Sequence, residues 1–140
     1  MNILYTAEAM ATGDGRNGHS RTTDGKVAVP LSTPKELGGS GEGTNPEQLF
    51  AAGYAACFHS ALRRVGTQAR ANIADSAVGA KVGIGSNDAG GFALAVTLEV
   101  SLPHLSRDEA RTLADAAHQV CPYSNAVRGN IDVHVLVAED

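Results

Sequence analysis

Apolar side chains fall on every second position in several stretches of the chain and on every third or fourth in two others, and the order of these periods predicts its elements. Ile3, Tyr5, Ala7 and Ala9 share one face of an extended segment whose other face carries Asn2, Thr6 and Glu8, which predicts a first strand. Gly13-Asp14-Gly15-Arg16-Asn17-Gly18 turns the chain into a second strand, His19 to Thr23. Asp24-Gly25 is a hairpin signal, and Val27, Val29 and Leu31 supply a third strand that completes an antiparallel meander. The loop from Ser32 to Thr44 holds Pro34 and the run Gly38-Gly39-Ser40-Gly41-Glu42-Gly43, too rich in glycine for regular structure and too short for a domain linker.

Thr44-Asn45-Pro46-Glu47 announces a helix, with Asn45 as cap, Pro46 at the first helical position and Glu47 beside the positive helix end. Leu49 to Phe58 carries no charge on any side, so this helix is expected to be central and wrapped by protein all round until Arg63, Arg64 and Gly66 close it. Val78, Ala80, Val82 and Ile84 alternate, Ser86 to Gly91 turns, and Phe92, Leu94, Val96, Leu98, Val100 and Leu102 alternate in reply, a long hairpin. Ser106-Arg107-Asp108-Glu109 fits a capping box, and Ala110, Leu113, Ala114, Ala117, Val120 and Cys121 follow at helical spacing until Pro122 stops the run. Ile131, Val133, Val135 and Val137 form a last strand. The order βββ-α-ββ-α-β is that of an α+β protein with helices on mostly antiparallel sheets, read as one domain over residues 1–140.

Composition narrows the function classes. A chain of 140 residues that is 43% hydrophobic can build a core without staples. Its 11 Lys+Arg against 15 Asp+Glu give a net charge of −4, with the cations scattered, which speaks against nucleic acid as a partner. No apolar run reaches the roughly 18 to 20 residues of a membrane span, and the first residues lack the pattern of a signal peptide, so the expected location is the cytoplasm. Cys57 and Cys121 stand far apart with no C-x-x-C, which spells neither a disulfide framework nor a zinc ribbon. In a reducing compartment such a pair is either buried filler or redox chemistry.

Cys57 lies mid-way along the most apolar helix, where a free cysteine often behaves as a small hydrophobe. A nucleophilic role requires a thiolate, which burial opposes and a neighbouring cation favours. Arg16, between Gly15 and Gly18, is a candidate for that cation, and Arg21 and Arg63 are less well placed. Glu47 suits Arg16, because a carboxylate can hold a guanidinium bidentately and fix where it points. Metal binding competes through Cys57-x-His59 and His118-x-x-Cys121. Cys57 and His59 project about 200° apart on one helix, however, and two ligands from the second cluster make a weak site. The glycines around Arg16 lead into a strand and make no phosphate loop.

Three segments together resemble the organic hydroperoxide resistance proteins of the OsmC superfamily: the Gly13 to Gly18 turn, Gly43-Thr44-Asn45-Pro46-Glu47-Gln48-Leu49-Phe50-Ala51-Ala52-Gly53-Tyr54-Ala55-Ala56-Cys57-Phe58, and Cys121-Pro122-Tyr123-Ser124-Asn125-Ala126-Val127-Arg128-Gly129-Asn130-Ile131. The glycine turn departs from the commoner Gly-Gly-Arg pattern by one residue, Asp14. By that resemblance Cys57 matches the peroxidatic cysteine, Cys121 the resolving cysteine, and Arg16 with Glu47 the pair that activates and orients. The resemblance further implies an OsmC-like fold, an interwoven homodimer with interfacial sites, no metal or flavin, and reduction by dihydrolipoamide or a lipoylated protein. Leu49, Phe50, Tyr54 and Phe58 are expected to offer apolar surface to an organic hydroperoxide. The competing readings are a ligand-binding or structural member of the superfamily with inert cysteines, and a metal-dependent hydrolase.

Overall fold

A computed structural model describes residues 1–139 as two compact units, Met1–Leu49 and the chain from Phe50 onward. In the first, strands β1 (Ala9–Thr12), β2 (His19–Thr22) and β3 (Ala28–Pro30) form an antiparallel sheet in the order β1-β2-β3, with Met10 opposite Arg21 and Ser20 opposite Val29. The meander is as expected, but its first strand is displaced. β1 begins at Ala9, and residues 1–8, with their alternating pattern, are exposed and outside any strand. Alternation marks two faces; a strand also needs a partner, and the sheet of this unit provides one only from Glu8, whose carbonyl accepts from Thr23 N–H.

Helix α1 (Pro46–Gln68) starts at a reciprocal cap: Asn45 Oδ1 accepts from Gln48 N–H at 2.9 Å, and Gln48 Oε1 accepts from Asn45 N–H at 3.1 Å. The helix runs two residues past Gly66. In the second unit it packs with β4 (Ala77–Ser86), β5 (Phe92–Ser101), α2 (Arg107–Val120), α3 (Pro122–Val127) and β6 (Asp132–Val137). β4 and β5 are antiparallel with Val78 opposite Val100 and Val82 opposite Val96, while β6 lies parallel to β5. Alternation puts Val96, Leu98 and Val100 of β5 on the core side, against Tyr54, Phe58 and Leu62 of α1 and Ala114 and Ala117 of α2. Each such large side chain contributes about 1.5 to 3 kcal/mol.

Three details add to the expected pattern. α1 is not wrapped all round by this chain: Leu49, Ala52, Ala56 and Ser60 line an exposed stripe, because the core elements cover only the opposite face. Phe92 shares the alternation of β5 yet stands 72% exposed at the hairpin end, opposite Ser86. Pro122 does stop α2, but it also opens α3, since a proline without an N–H is at home in a first helical turn. The capping box at Ser106 and Glu109 is present as expected.

Candidate active site

The first unit supplies a fixed cation. The turn that carries Arg16 is a short 3-10 segment, Gly15–Asn17, closed by Asn17 N–H donating to the carbonyl of Asp14 at 2.9 Å, so the extra residue of this turn is part of its hydrogen bonding. A Cβ on Gly18 would sit 2.1 Å from the Thr12 carbonyl oxygen, which restricts that position to glycine. Arg16 Nη1 and Nη2 donate to Glu47 Oε2 and Oε1 at 2.9 and 2.7 Å, a bidentate pair. The pair raises the Arg16 pKa and holds the Glu47 carboxyl below the usual carboxylate range, in each case chiefly through those hydrogen bonds and against the cost of burial. Arg21 stands exposed on β2 and takes no part in the pair.

The second unit brings the two cysteines together. Cys57 projects from the middle of α1, Cys121 caps the junction of α2 and α3, and their sulfurs lie 3.7 Å apart as free thiols. Cys121 is fully buried and Cys57 half-buried. Burial pushes the Cys57 thiol up, the Tyr123 backbone N–H at the start of α3 opposes this, and neighbouring Cys121 adds to the rise.

Around the sulfurs is a polar clasp. Ser124, fully buried, stands 2.7 Å from the Tyr54 hydroxyl and 2.8 Å from His118 Nδ1. Tyr54 is one helical turn before Cys57, His118 one turn before Cys121, and Ser124 one turn after it. Burial holds the His118 pKa below its ordinary value, which favours the neutral ring. Phe50, Tyr54 and Tyr123 form an aromatic group with ring centroids 5.5 to 6.2 Å apart.

The OsmC-like protein family model matches residues 39–135. The organic hydroperoxide resistance protein of Xanthomonas axonopodis pv. citri is 51% identical over 138 residues, covering 97% of this chain and 96% of that one. The chain belongs to the OsmC superfamily, in its organic hydroperoxide resistance group. A second member, organic hydroperoxide resistance protein OhrB of Bacillus subtilis, is 45% identical over 93% of this chain and 95% of that one. The crystal structure of an organic hydroperoxide resistance protein from Elizabethkingia anophelis, 49% identical, superposes with a TM-score of 0.95 and covers both chains completely.

Against this organic hydroperoxide resistance framework, the expected site residues separate. Arg16 meets Glu47 and Cys57 meets Cys121. Of the expected apolar surface, Leu49 is exposed and Phe50 half-buried, whereas Tyr54 and Phe58 are fully buried core. In this chain the latter two back the turn that carries Cys57 and present no free surface. His59 bonds Ser76 Oγ at 3.0 Å, and among the described residues no three of His, Cys, Asp and Glu cluster as metal ligands. No helix among them is long and apolar enough to cross a membrane. Sequence reasoning missed the roles of Ser124, His118 and the Tyr123 N–H. The available signal was the repeated three-residue step that links 54 to 57, 118 to 121 and 121 to 124.

Proposed function

We propose that this chain is a cysteine-based peroxidase that reduces organic hydroperoxides, including those of fatty acids, to alcohols. The observation that carries the reading is the pair of free thiols 3.7 Å apart, one half-buried and one buried. The Cys57 thiolate attacks the distal peroxide oxygen, the O–O bond breaks, the alkoxide leaves and takes up the proton released to solvent when the thiol ionised, and Cys57 becomes a sulfenic acid. Cys121 then attacks that sulfur, expels water and closes a disulfide, which an external dithiol reopens. A disulfide needs about 2.05 Å between sulfurs, so the pair has to close by less than 2 Å. No metal or flavin enters this cycle. The reductant is a dithiol of the dihydrolipoamide type, free or on a lipoylated protein, in the cytoplasm.

The raised Cys57 pKa calls for a cation, and Arg16, fixed by Glu47, is the one assigned here. The guanidinium lowers the thiol pKa and stabilises charge moving onto the leaving oxygen. α1 is continuous through Gly53, so Glu47 and Cys57 of one chain are separated by about 15 Å along its axis, more than a Glu side chain spans. The functional form is therefore an interwoven homodimer in which Arg16 and Glu47 serve the cysteine of the other protomer. The exposed stripe at Leu49, Ala52 and Ala56, small enough for close approach, and the strand-patterned residues 1–8 are what such a dimer covers.

The test is consumption of cumene or tert-butyl hydroperoxide with dihydrolipoamide, thioredoxin or glutathione supplied in turn, alongside a thiol count. Loss of both thiols with peroxide, and turnover with dihydrolipoamide, is expected. A binding or structural protein with inert cysteines shows neither.

A further inference from the structure

Tyr54, Ser124 and His118 form a polar chain beside the sulfurs, and the cycle above uses none of the three. Tyr54 and Ser124 are fully buried, while the His118 ring is part-exposed. Hydrogen accounting gives this chain a direction. Among the described residues the Tyr54 hydroxyl meets only Ser124 Oγ, at 2.7 Å, and no buried side-chain polar atom is left unpaired. The Tyr54 hydrogen therefore goes to Ser124, since a buried phenol that donates to nothing is costly. Having accepted there, Ser124 donates its own hydrogen to His118 Nδ1 at 2.8 Å, which makes Nδ1 the bare nitrogen of a neutral ring. The charged groups acting on that ring are Arg128 after α3 and Asp115 and Arg111 of α2, and from α1 the Phe58 ring packs against it with centroids 6.4 Å apart. At the other end the Tyr54 oxygen keeps a lone pair. Burial raises the Tyr54 pKa most, and charge at Cys121 and at Cys57 raises it further, so both sulfurs act on that oxygen. Cys121 is fully buried, yet it has to shed its thiol hydrogen to attack Cys57.

We propose that this chain carries the Cys121 thiol proton to His118 when the disulfide closes. The inference rests on the Cys57–Cys121 disulfide proposed above. The Cys121 hydrogen passes to Tyr54 Oη as the Tyr54 hydrogen moves to Ser124 Oγ and the Ser124 hydrogen to His118 Nδ1. Every bond of the chain reverses, leaving a thiolate that accepts from the Tyr54 hydroxyl and an imidazolium that donates to Ser124. The thiolate attacks the Cys57 sulfur, the S–O bond of the sulfenic acid breaks, and the departing hydroxide takes a proton from solvent to become water. His118 returns one proton to solvent, so the net change is the release of one water. His118 acts through two hydroxyls, as a positioning residue for that proton.

The test is the pH profile of closure. Reduced protein is mixed with rising concentrations of tert-butyl hydroperoxide and quenched in acid, and intact mass resolves the sulfenic acid, heavier by one oxygen, from the disulfide, lighter by two hydrogens. The phase that no longer depends on peroxide concentration is closure. In wild type the proton has an internal acceptor, so above the His118 pKa the reactive form does not depend on hydroxide. In His118→Gln and in Tyr54→Phe the proton has to go to solvent, and closure follows the thiolate fraction. The ratio of wild-type to variant rate is expected to be about a hundredfold near pH 7. It should rise about tenfold for each unit from about pH 8 down to about pH 6.5, the ordinary histidine value. A merely loosened fold gives the same ratio at every pH. That outcome in His118→Gln overturns this inference alone, and a constant ratio in Tyr54→Phe beside a rising one in His118→Gln overturns the path through Tyr54. Ser124→Ala combined with His118→Gln should close no more slowly than Ser124→Ala by itself, and additive slowing would show that His118 does not act through Ser124. Absence of the two-hydrogen loss in wild type overturns the disulfide reading and this inference with it.

Discussion

The Tyr54 hydroxyl and Ser124 Oγ, from residues 70 positions apart, meet at 2.7 Å and tie the helical turn before Cys57 to the turn after Cys121. Ser124→Ala leaves a buried phenol unpaired, a loss of about 1 to 3 kcal/mol in denaturant unfolding. It also frees the two cysteine-bearing turns from one another. Peroxide oxidation of Cys57 is expected to keep its rate, while closure of the disulfide slows about ten- to a hundredfold. Stopped-flow measurement of the two phases decides this, since equal slowing of both marks a purely structural serine.

Cys57→Ser is expected to abolish turnover. Cys121→Ser should accept one equivalent of peroxide and stall with Cys57 as a sulfenic acid or a mixed disulfide. In wild type the bond is intramolecular, so a non-reducing gel shows no covalent dimer. A Cys57→Ser protein that still consumes cumene hydroperoxide would defeat the assignment.

Acid should weaken the protein in two stages. His118 is held below its ordinary pKa by burial, so its contribution is complete above about pH 6.5 and is lost as the pH falls towards its folded value. Glu47 is held below the carboxylate range by Arg16, so its contribution persists above about pH 4.3 and disappears as the pH falls through the lowered folded value. Denaturant midpoints measured from pH 8 to pH 3 are expected to show both. His118→Gln should flatten the first stage only, and Arg16→Ala the second only.

Arg16→Ala is expected to raise the Cys57 pKa and slow alkylation at neutral pH without unfolding, with Arg16→Lys restoring only part, because a point charge does not reproduce the fork that grips Glu47. Unchanged thiol reactivity would shift attention to Arg21. Subunit mixing separates the two placements of Glu47. Inactive Glu47→Ala and inactive Cys57→Ser should together recover up to one active site per mixed dimer. No recovery after demonstrated exchange would put both residues to work within one chain.

Much of this was legible where local chemistry decides. Asn45, Ser106 and Glu109 cap helices through hydrogen bonds that span three residues, and the Val96-Leu98-Val100 alternation needs only a pleat. The sequence pattern misled where a partner decides. Residues 1–8 alternate without a strand beside them, and the uncharged stretch after Glu47 has a bare face in this chain. Arg16 and Glu47 could be matched by chemical type. Ser124 could not, since its partners approach from two other helices and nothing in a serine's own neighbourhood names them.

Cys121 belongs to neither of the helices it joins. Its φ of −65° and ψ of 123° are extended, and it is tethered by a single backbone bond in each direction, its N–H to Ala117 and its carbonyl from Asn125. A sulfur mounted on a rigid helical interior could approach another only by dragging a whole rod. Mounted on this elbow, and if the proposed disulfide forms, it reaches Cys57 by a small backbone rotation that leaves both rods intact.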